Sequence, residues 1–186
     1  SNRGWKALED VGLDEAIRKI GIPVDKRAIH LQDGKLTYQS YGNEGEAIFS
    51  LSRGILNRKM IDLAEAEGVE FYFERKIWDI TLATASLWEG ESEQGEWTEL
   101  KYDKVFGADG AFSRIRHRMQ RQSMFDYSQE FMKIGYKELH IPANADGTPK
   151  IDIHSLHIWP RGNFMLMGLA NLDNSFTCTL FMPCLL

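Results

Sequence analysis

Cysteine is scarce: Cys178 and Cys184 are the only two in 186 residues. Two thiols near the C-terminus build neither a disulfide framework nor a metal knuckle, and a reducing compartment is the simple reading. Apolar runs stay well short of the roughly 20 residues of a bilayer-spanning helix, so no membrane crossing is expected in this sequence. Residues 1–10 lack a basic stretch followed by an apolar one, so no signal peptide is visible and a cytoplasmic location is the expectation. Basic residues are outnumbered, 22 Lys and Arg against 27 Asp and Glu, for a formal charge of −5. That balance argues against a main role in neutralising nucleic-acid phosphate. Five prolines and 16 glycines exclude a disordered linker or a collagen-like chain.

Several catalytic signatures are missing too. No Gly-x-Gly-x-x-Gly follows a strand and no Walker loop occurs, so a dinucleotide-binding domain is not complete in this chain. No Gly-x-Ser-x-Gly elbow is present, and neither cysteine has a histidine beside it in sequence. His154 and His157 fall on opposite faces of a strand and the other histidines are isolated, so no metal site is expected.

What remains is a globular composition, 43% hydrophobic and 26% charged. Short helical turns are predicted over Trp5–Asp10 and Leu13–Ile20, broken at Gly12 and closed by Gly21 and Pro23. Lys26–Tyr41 changes to a β-hairpin pattern around Asp33-Gly34, a dipeptide that tolerates a tight turn. A helix after Ser52, with Leu56, Met60, Leu63 and Ala64 on one face, ends at Gly68. Strands are expected at Val69–Phe73, through much of Ile77–Trp88 and at Lys104–Phe106, with Glu89–Glu96 a solvated acidic loop or hairpin tip. Ser113 caps a short helix reaching Gln120. Beyond Phe131 the pattern is antiparallel, with strands at Ile134–Ile141, His154–Trp159, Phe164–Ala170 and Phe176–Met182. The fold class is therefore α+β / α/β mixed, with a boundary near residues 121–127.

Four constellations carry possible chemistry. In Gly107-Ala-Asp-Gly110, Asp109 either binds ligand hydroxyls beside a helix N-terminus or simply makes an Asp-Gly turn. Arg114, Arg116, His117, Arg118 and Arg121 either hold an anion or form a solvated face paired with the acidic loop. Strand parity groups Leu156 with Ile158, Met165 with Met167 and Leu169, and Thr177 with Thr179 and Phe181. Such a surface floors a pocket for an aromatic ligand or packs under a helix. Arg27 and Tyr41 meet near the open end of the hairpin, as a carboxylate-binding fork or as a surface pair. Cys178 reads as a small core residue.

The segments Ser-Asn-Arg-Gly at 1–4, Arg27-Ala-Ile-His30, Tyr41-Gly42, Leu51-Ser-Arg53 and Gly107-Ala-Asp-Gly-Ala-Phe-Ser113 resemble the class A flavin-dependent aromatic hydroxylases. Phe125-Asp-Tyr-Ser-Gln129, Leu156-His-Ile-Trp-Pro-Arg161 and Ser175-Phe-Thr-Cys-Thr-Leu-Phe-Met-Pro183 narrow the resemblance to the branch that hydroxylates kynurenine. It covers essentially the whole chain. The resemblance implies part of a para-hydroxybenzoate hydroxylase-like FAD/NAD(P)-binding domain plus an antiparallel substrate-binding sheet. It further implies FAD as cofactor, NADPH and dioxygen as cosubstrates, and conversion of L-kynurenine to 3-hydroxykynurenine by flavin-borne chemistry. By motif match, Arg27 and Tyr41 would hold the substrate carboxylate, and Leu156, Met167, Leu169, Thr179 and Phe181 the hydrophobic floor. Arg53, the Ile77 backbone, Asp109, Gly110 and Arg114 would serve the FAD. Residues 1–24 and 51–121 would belong to the FAD domain, and 25–50 and 122–186 to the substrate sheet.

The family's first glycine-rich FAD motif would precede residue 1 and its later Gly-Asp segment would follow residue 186. An internal piece of the enzyme is thus expected, binding FAD weakly or not at all by itself and able to self-associate through exposed edges. A membrane anchor found in some members would also lie past the end. The alternatives are a flavin hydroxylase for another aromatic acid and a non-catalytic remnant that binds a ligand or partner.

Overall fold

A computed structural model describes residues 2–43 and 45–184; Ser1, which opens one of the resembling segments, lies outside them. In chain order the elements are α1 (Asn2–Glu9), α2 (Asp14–Arg18), β1 (Ile22–Val24), β2 (Lys26–His30), β3 (Leu36–Ser40), β4 (Ile48–Ser50) and α3 (Arg53–Ala66). They continue with β5 (Lys76–Thr81), β6 (Ser86–Gly90), β7 (Thr98–Lys101), α4 (Arg114–Met119), β8 (Ile134–Ile141), β9 (Ser155–Arg161), β10 (Phe164–Ala170) and β11 (Phe176–Pro183). By contact the chain divides into two units, Ser1–Gly68 with Met132–Leu186, and Val69–Phe131. No helix among the described residues is long and apolar enough to cross a membrane.

The first unit is built on a six-stranded sheet in the order β3-β2-β9-β10-β11-β8. The predicted hairpin forms with Gly34 at its turn, where φ is +84° and a side chain would be strained. Its first arm joins the C-terminal strands through a parallel pairing of β2 with β9, the one parallel contact in an otherwise antiparallel sheet. Alternation then divides the side chains between two faces. One face carries Ala28, Ala170, Phe176 and Cys178, each at most 1% exposed; the last three pack with Ile22 and are flanked by Ile141, Ile151, Ile153 and Leu166. Burying side chains of this size stabilises the fold by about 1.5–3 kcal/mol for each large apolar group. Ser50 Oγ donates to the Ala170 carbonyl at 2.7 Å and ties the small β1–β4 ribbon to this core. Cys178 is the core residue expected, and burial pushes its thiol pKa up.

The second unit holds a three-stranded antiparallel sheet, β5-β6-β7, and α4. Asp79 on β5 takes the forked guanidinium of Arg118 on α4. Burial would raise the Asp79 carboxyl, but that fork and the Ile80 N–H outweigh it and hold the pKa below the usual range. Trp78 stacks parallel to Trp97 at 6.5 Å and donates its indole N–H to the Gly90 carbonyl at 2.9 Å.

Two predicted strands do not form. Val69–Phe73 and Lys104–Phe106 are irregular, with Val69, Tyr72, Phe73 and Phe106 all exposed. Their composition suits a pleated strand, but no described strand offers them a ladder, and an unpaired strand gains nothing from its backbone donors. The strand at Thr98–Lys101 was not predicted; it is short and fully exposed, and its polar residues carry no strand signal.

Candidate functional site

The open face of the six-stranded sheet gathers the residues that parity had grouped. Arg27 stands opposite Leu156; Met167 lies between Ile158 and Thr179; Leu169 faces Thr177 and Met165 faces Phe181. Residues in register share a face, so Arg27, Leu156, Met167, Leu169, Thr179 and Phe181 all lie on one side. Arg27 and Phe181 are separated by β9 and β10, about 14 Å across at about 4.8 Å per strand, and are offset along the strands by the four residues from Thr177 to Phe181, about 13 Å. Apart from Leu156, which is 6% exposed, these side chains are only half-buried, whereas their neighbours on the other face form the core. Among the described residues the apolar row is thus half-buried, and less closely packed than the opposite face.

Arg27 and Tyr41 meet at the end of this floor as the hairpin register predicted. The guanidinium carbon sits 4.3 Å from the Tyr41 ring centroid, a contact worth about 0.5–1 kcal/mol at an exposed site. The Tyr41 N–H donates to the Asp25 carbonyl at 2.7 Å, which fixes the chain as it leaves the hairpin. Arg27 Nη1 donates to the Ser40 carbonyl at 3.4 Å. Among the described residues no carboxylate pairs with Arg27, and the Ser40 carbonyl takes one of the five donors of its fork.

At the far side of the floor a cavity of about 500 Å³ is lined by Phe49–Gly54, Glu138, Leu169, Asn171, Thr177 and Thr179. Arg53, the first residue of α3, reaches into this region and lies 3.8 Å from Glu138 Oε1. Ser52 precedes the helix without a side-chain cap bond, which leaves its first N–H groups unspent by that residue. Leu169 and Thr179 thus share a cavity with Arg53. Sequence reasoning missed Glu138 and Asn171. Glu138 sits opposite Thr179 on an edge strand with a mixed polar pattern, and nothing local marks it.

The other residues singled out for cofactor contact lie in the second unit. Asp109 accepts from Ser113 Oγ at 2.6 Å, from the Arg114 N–H at 2.7 Å and from the Ile115 N–H at 3.3 Å. Burial would raise its carboxyl, but these donors hold it below the ordinary range. Ser113 in turn accepts from the Arg116 N–H at 3.0 Å, so the two side chains cap α4 together, and Gly110 turns the loop at φ +77°. Arg114 reaches Glu93 of the acidic loop at 3.3 Å and covers the Trp78 ring at 5.7 Å. Ile77 pairs with Glu89 beside a bulge. The basic island is in part spent on Glu93 and Asp79, the solvated-face reading. Among the described residues no cluster of metal-ligating side chains occurs. One histidine pair was not foreseen: His30 and His157 are in contact, 2.8 Å apart, on the buried side of the sheet.

No family model matches the sequence. Against individual proteins it is 73% identical over 183 residues to the kynurenine 3-monooxygenase of Flavobacterium johnsoniae, and 66% identical over 183 residues to that of Flavobacterium psychrophilum. Each alignment covers 98% of this chain and 41% of the relative. Over nearly its whole length the chain is similar in sequence to these kynurenine 3-monooxygenases. It spans about two fifths of the length of these curated kynurenine 3-monooxygenases. Among solved structures, 2-methyl-3-hydroxypyridine-5-carboxylic acid oxygenase superposes with a TM-score of 0.71 at 18% identity, covering 98% of this chain and 47% of that one. The mixed α/β fold with separate sheets is shared with that oxygenase and with the flavin-dependent halogenase CmlS, which superposes with a TM-score of 0.67 at 15% identity, covering 95% of this chain and 32% of that one.

Proposed function

We propose that the open sheet face is the aromatic-substrate surface of an FAD-dependent enzyme that uses NADPH and dioxygen to hydroxylate L-kynurenine to 3-hydroxykynurenine. The observation that carries this reading is a guanidinium with no carboxylate partner among the described residues, at one end of a half-buried apolar row. Arg27 offers a fork to the amino-acid carboxylate, with the Tyr41 ring holding the guanidinium plane. Leu156, Met167, Leu169 and Phe181 bury the aromatic part and keep water from it, and Thr179 supplies a hydroxyl within that floor. Residues 25–50 and 122–186 form the substrate part in this scheme, and residues 1–24 and 51–121 the FAD part.

The chemistry of the donor set fits a flavin dinucleotide in part. Arg53 is largely exposed beside a cavity and has a guanidinium to give to an anionic group. Gly110, at which an added Cβ would meet nothing within 4 Å, admits close approach of a ligand, and the Ile77 backbone would serve the ligand by resemblance. Asp109 acts through the loop it braces, because its oxygens already serve the α4 N-terminus. Arg114 would adjust that region from the surface. When bound, FAD supplies electron transfer and oxygen activation; the residues of this chain bind, orient and shield the substrate.

The test is titration of the 186-residue chain with L-kynurenine, followed by NMR and calorimetry. Shifts confined to β2 and β9–β11, and lost in Arg27→Met, support the reading; their absence overturns it. Tighter binding of a simple hydroxybenzoate would favour a hydroxylase for another aromatic acid. Mixed with FAD alone, the chain is expected to retain little flavin, and a stoichiometric yellow complex would contradict that part.

A further inference from the structure

On the buried side of the six-stranded sheet, two histidines from distant parts of the chain form one hydrogen-bonded unit. His30 Nε2 lies 2.8 Å from His157 Nδ1, and His157 Nε2 lies 2.8 Å from the Asp152 carbonyl oxygen. A carbonyl only accepts, so His157 carries its hydrogen on Nε2 and presents a lone pair at Nδ1. His30 must then donate from Nε2. Both neutral tautomers follow from these two contacts alone. Trp159 stacks on His30 at 4.3 Å and Phe176 meets His157 edge-on at 5.8 Å, so each ring of the unit has an aromatic neighbour.

The bond has a definite capacity for protons. His30 can take one at its unused Nδ1 and still donate to its partner. His157 can be protonated only at Nδ1, the atom that accepts the bond, so a second proton separates the rings. The charged and titratable groups nearby are few. Arg161 of β9 donates to the His30 carbonyl at 2.9 Å and opposes a cation there. Asp152 favours a cation on His157, but its carboxylate is already engaged by Lys26 of β2 at 3.2 Å. Cys178 of β11 lies on the same face as a buried neutral thiol. Burial is the leading influence on both rings and favours the neutral forms.

His30 ends the strand that carries Arg27, and His157 lies one strand over on β9. We propose that the His30–His157 bond is a proton-operated clasp that holds the Arg27 strand on the sheet, so that acidification loosens the hairpin and the placement of Arg27. The two histidines are positioning residues, and the consequence for Arg27 rests on the substrate reading above.

Imidazole-nitrogen NMR of the 186-residue chain tests the clasp without any variant. Near pH 8 both rings should carry hydrogen on Nε2, and on acidification His30 should gain its proton at Nδ1 first; an Nδ1–H tautomer on His157 overturns the proposal. Amide protection of residues 26–30, corrected for intrinsic exchange and referenced to residues 176–180, should fall about tenfold between about pH 7.5 and 5.5. A His30→Gln, His157→Gln double variant keeps donors and acceptors without a titrating ring, and its protection should stay flat; an equal fall overturns the clasp. If the clasp titrates but Arg27→Met leaves kynurenine binding unchanged, the clasp stands and the substrate reading fails. If binding needs Arg27 while protection ignores pH, the clasp fails and the substrate reading stands.

Discussion

Arg27 and Leu156 stand directly opposite each other across a parallel strand pair, a charged fork beside a side chain that is 6% exposed. This juxtaposition makes Arg27 the first residue to test. Arg27→Met should weaken binding of a kynurenine-like carboxylate by about 10- to 100-fold, the range for a lost charge-assisted hydrogen bond. Arg27→Lys keeps the charge without the fork and should fall between the two. Calorimetric titration separates the three proteins, and their melting temperatures should stay close together.

The two faces of the sheet should respond differently to truncation. Phe176→Ala removes a ring with no exposed surface and should cost about 3–5 kcal/mol of stability in urea unfolding. Met167→Ala lies on the half-buried face and should cost clearly less, while weakening ligand binding. Equal losses from both would mean that the open face is covered in solution.

How much of this was legible beforehand depends on the distance over which the information acts. The hairpin declared itself through Asp33-Gly34, and parity within β9, β10 and β11 sorted their side chains correctly, because both signals are local. Parity cannot say which face is covered; that depends on Ile22 and on Ile151 and Ile153, which lie outside these strands. The His30–His157 and Asp79–Arg118 contacts join residues far apart in sequence, and no local pattern encodes them. The false strands at Val69–Phe73 and Lys104–Phe106 have the right composition but no partner to pair with.

Asp152 should govern an acid transition. Burial alone would raise its carboxyl, but donors from Ser155, the His154 N–H and Lys26 hold the pKa down to about 2. A depressed carboxyl contributes stability that is complete above its unfolded value near 3.9 and is lost as pH falls through the folded one. Asp152→Asn should therefore flatten the stability profile below about pH 4, and the loss of its charge should also move the His157 titration lower. Chemical unfolding at stepped pH provides the measurement.

The α4 cap gives a further prediction, confined to the second unit. Ser113→Ala removes the acceptor for the Arg116 N–H and a donor to Asp109, and should cost about 1 kcal/mol. Asp109 would then be freer to meet other hydroxyls. Helical CD and the exchange rates of residues 114–119 should register the change, with those of β9–β11 unaffected.

Strand parity also makes the length of β10 a locked variable. Adding one residue between Phe164 and Gly168 would turn every following side chain over, driving Leu169 inward and Ala170 outward. Binding floor and interior would be scrambled by the same event, so natural variation along this strand should arise by exchange of side chains at fixed length, with insertions and deletions confined to the turns on either side.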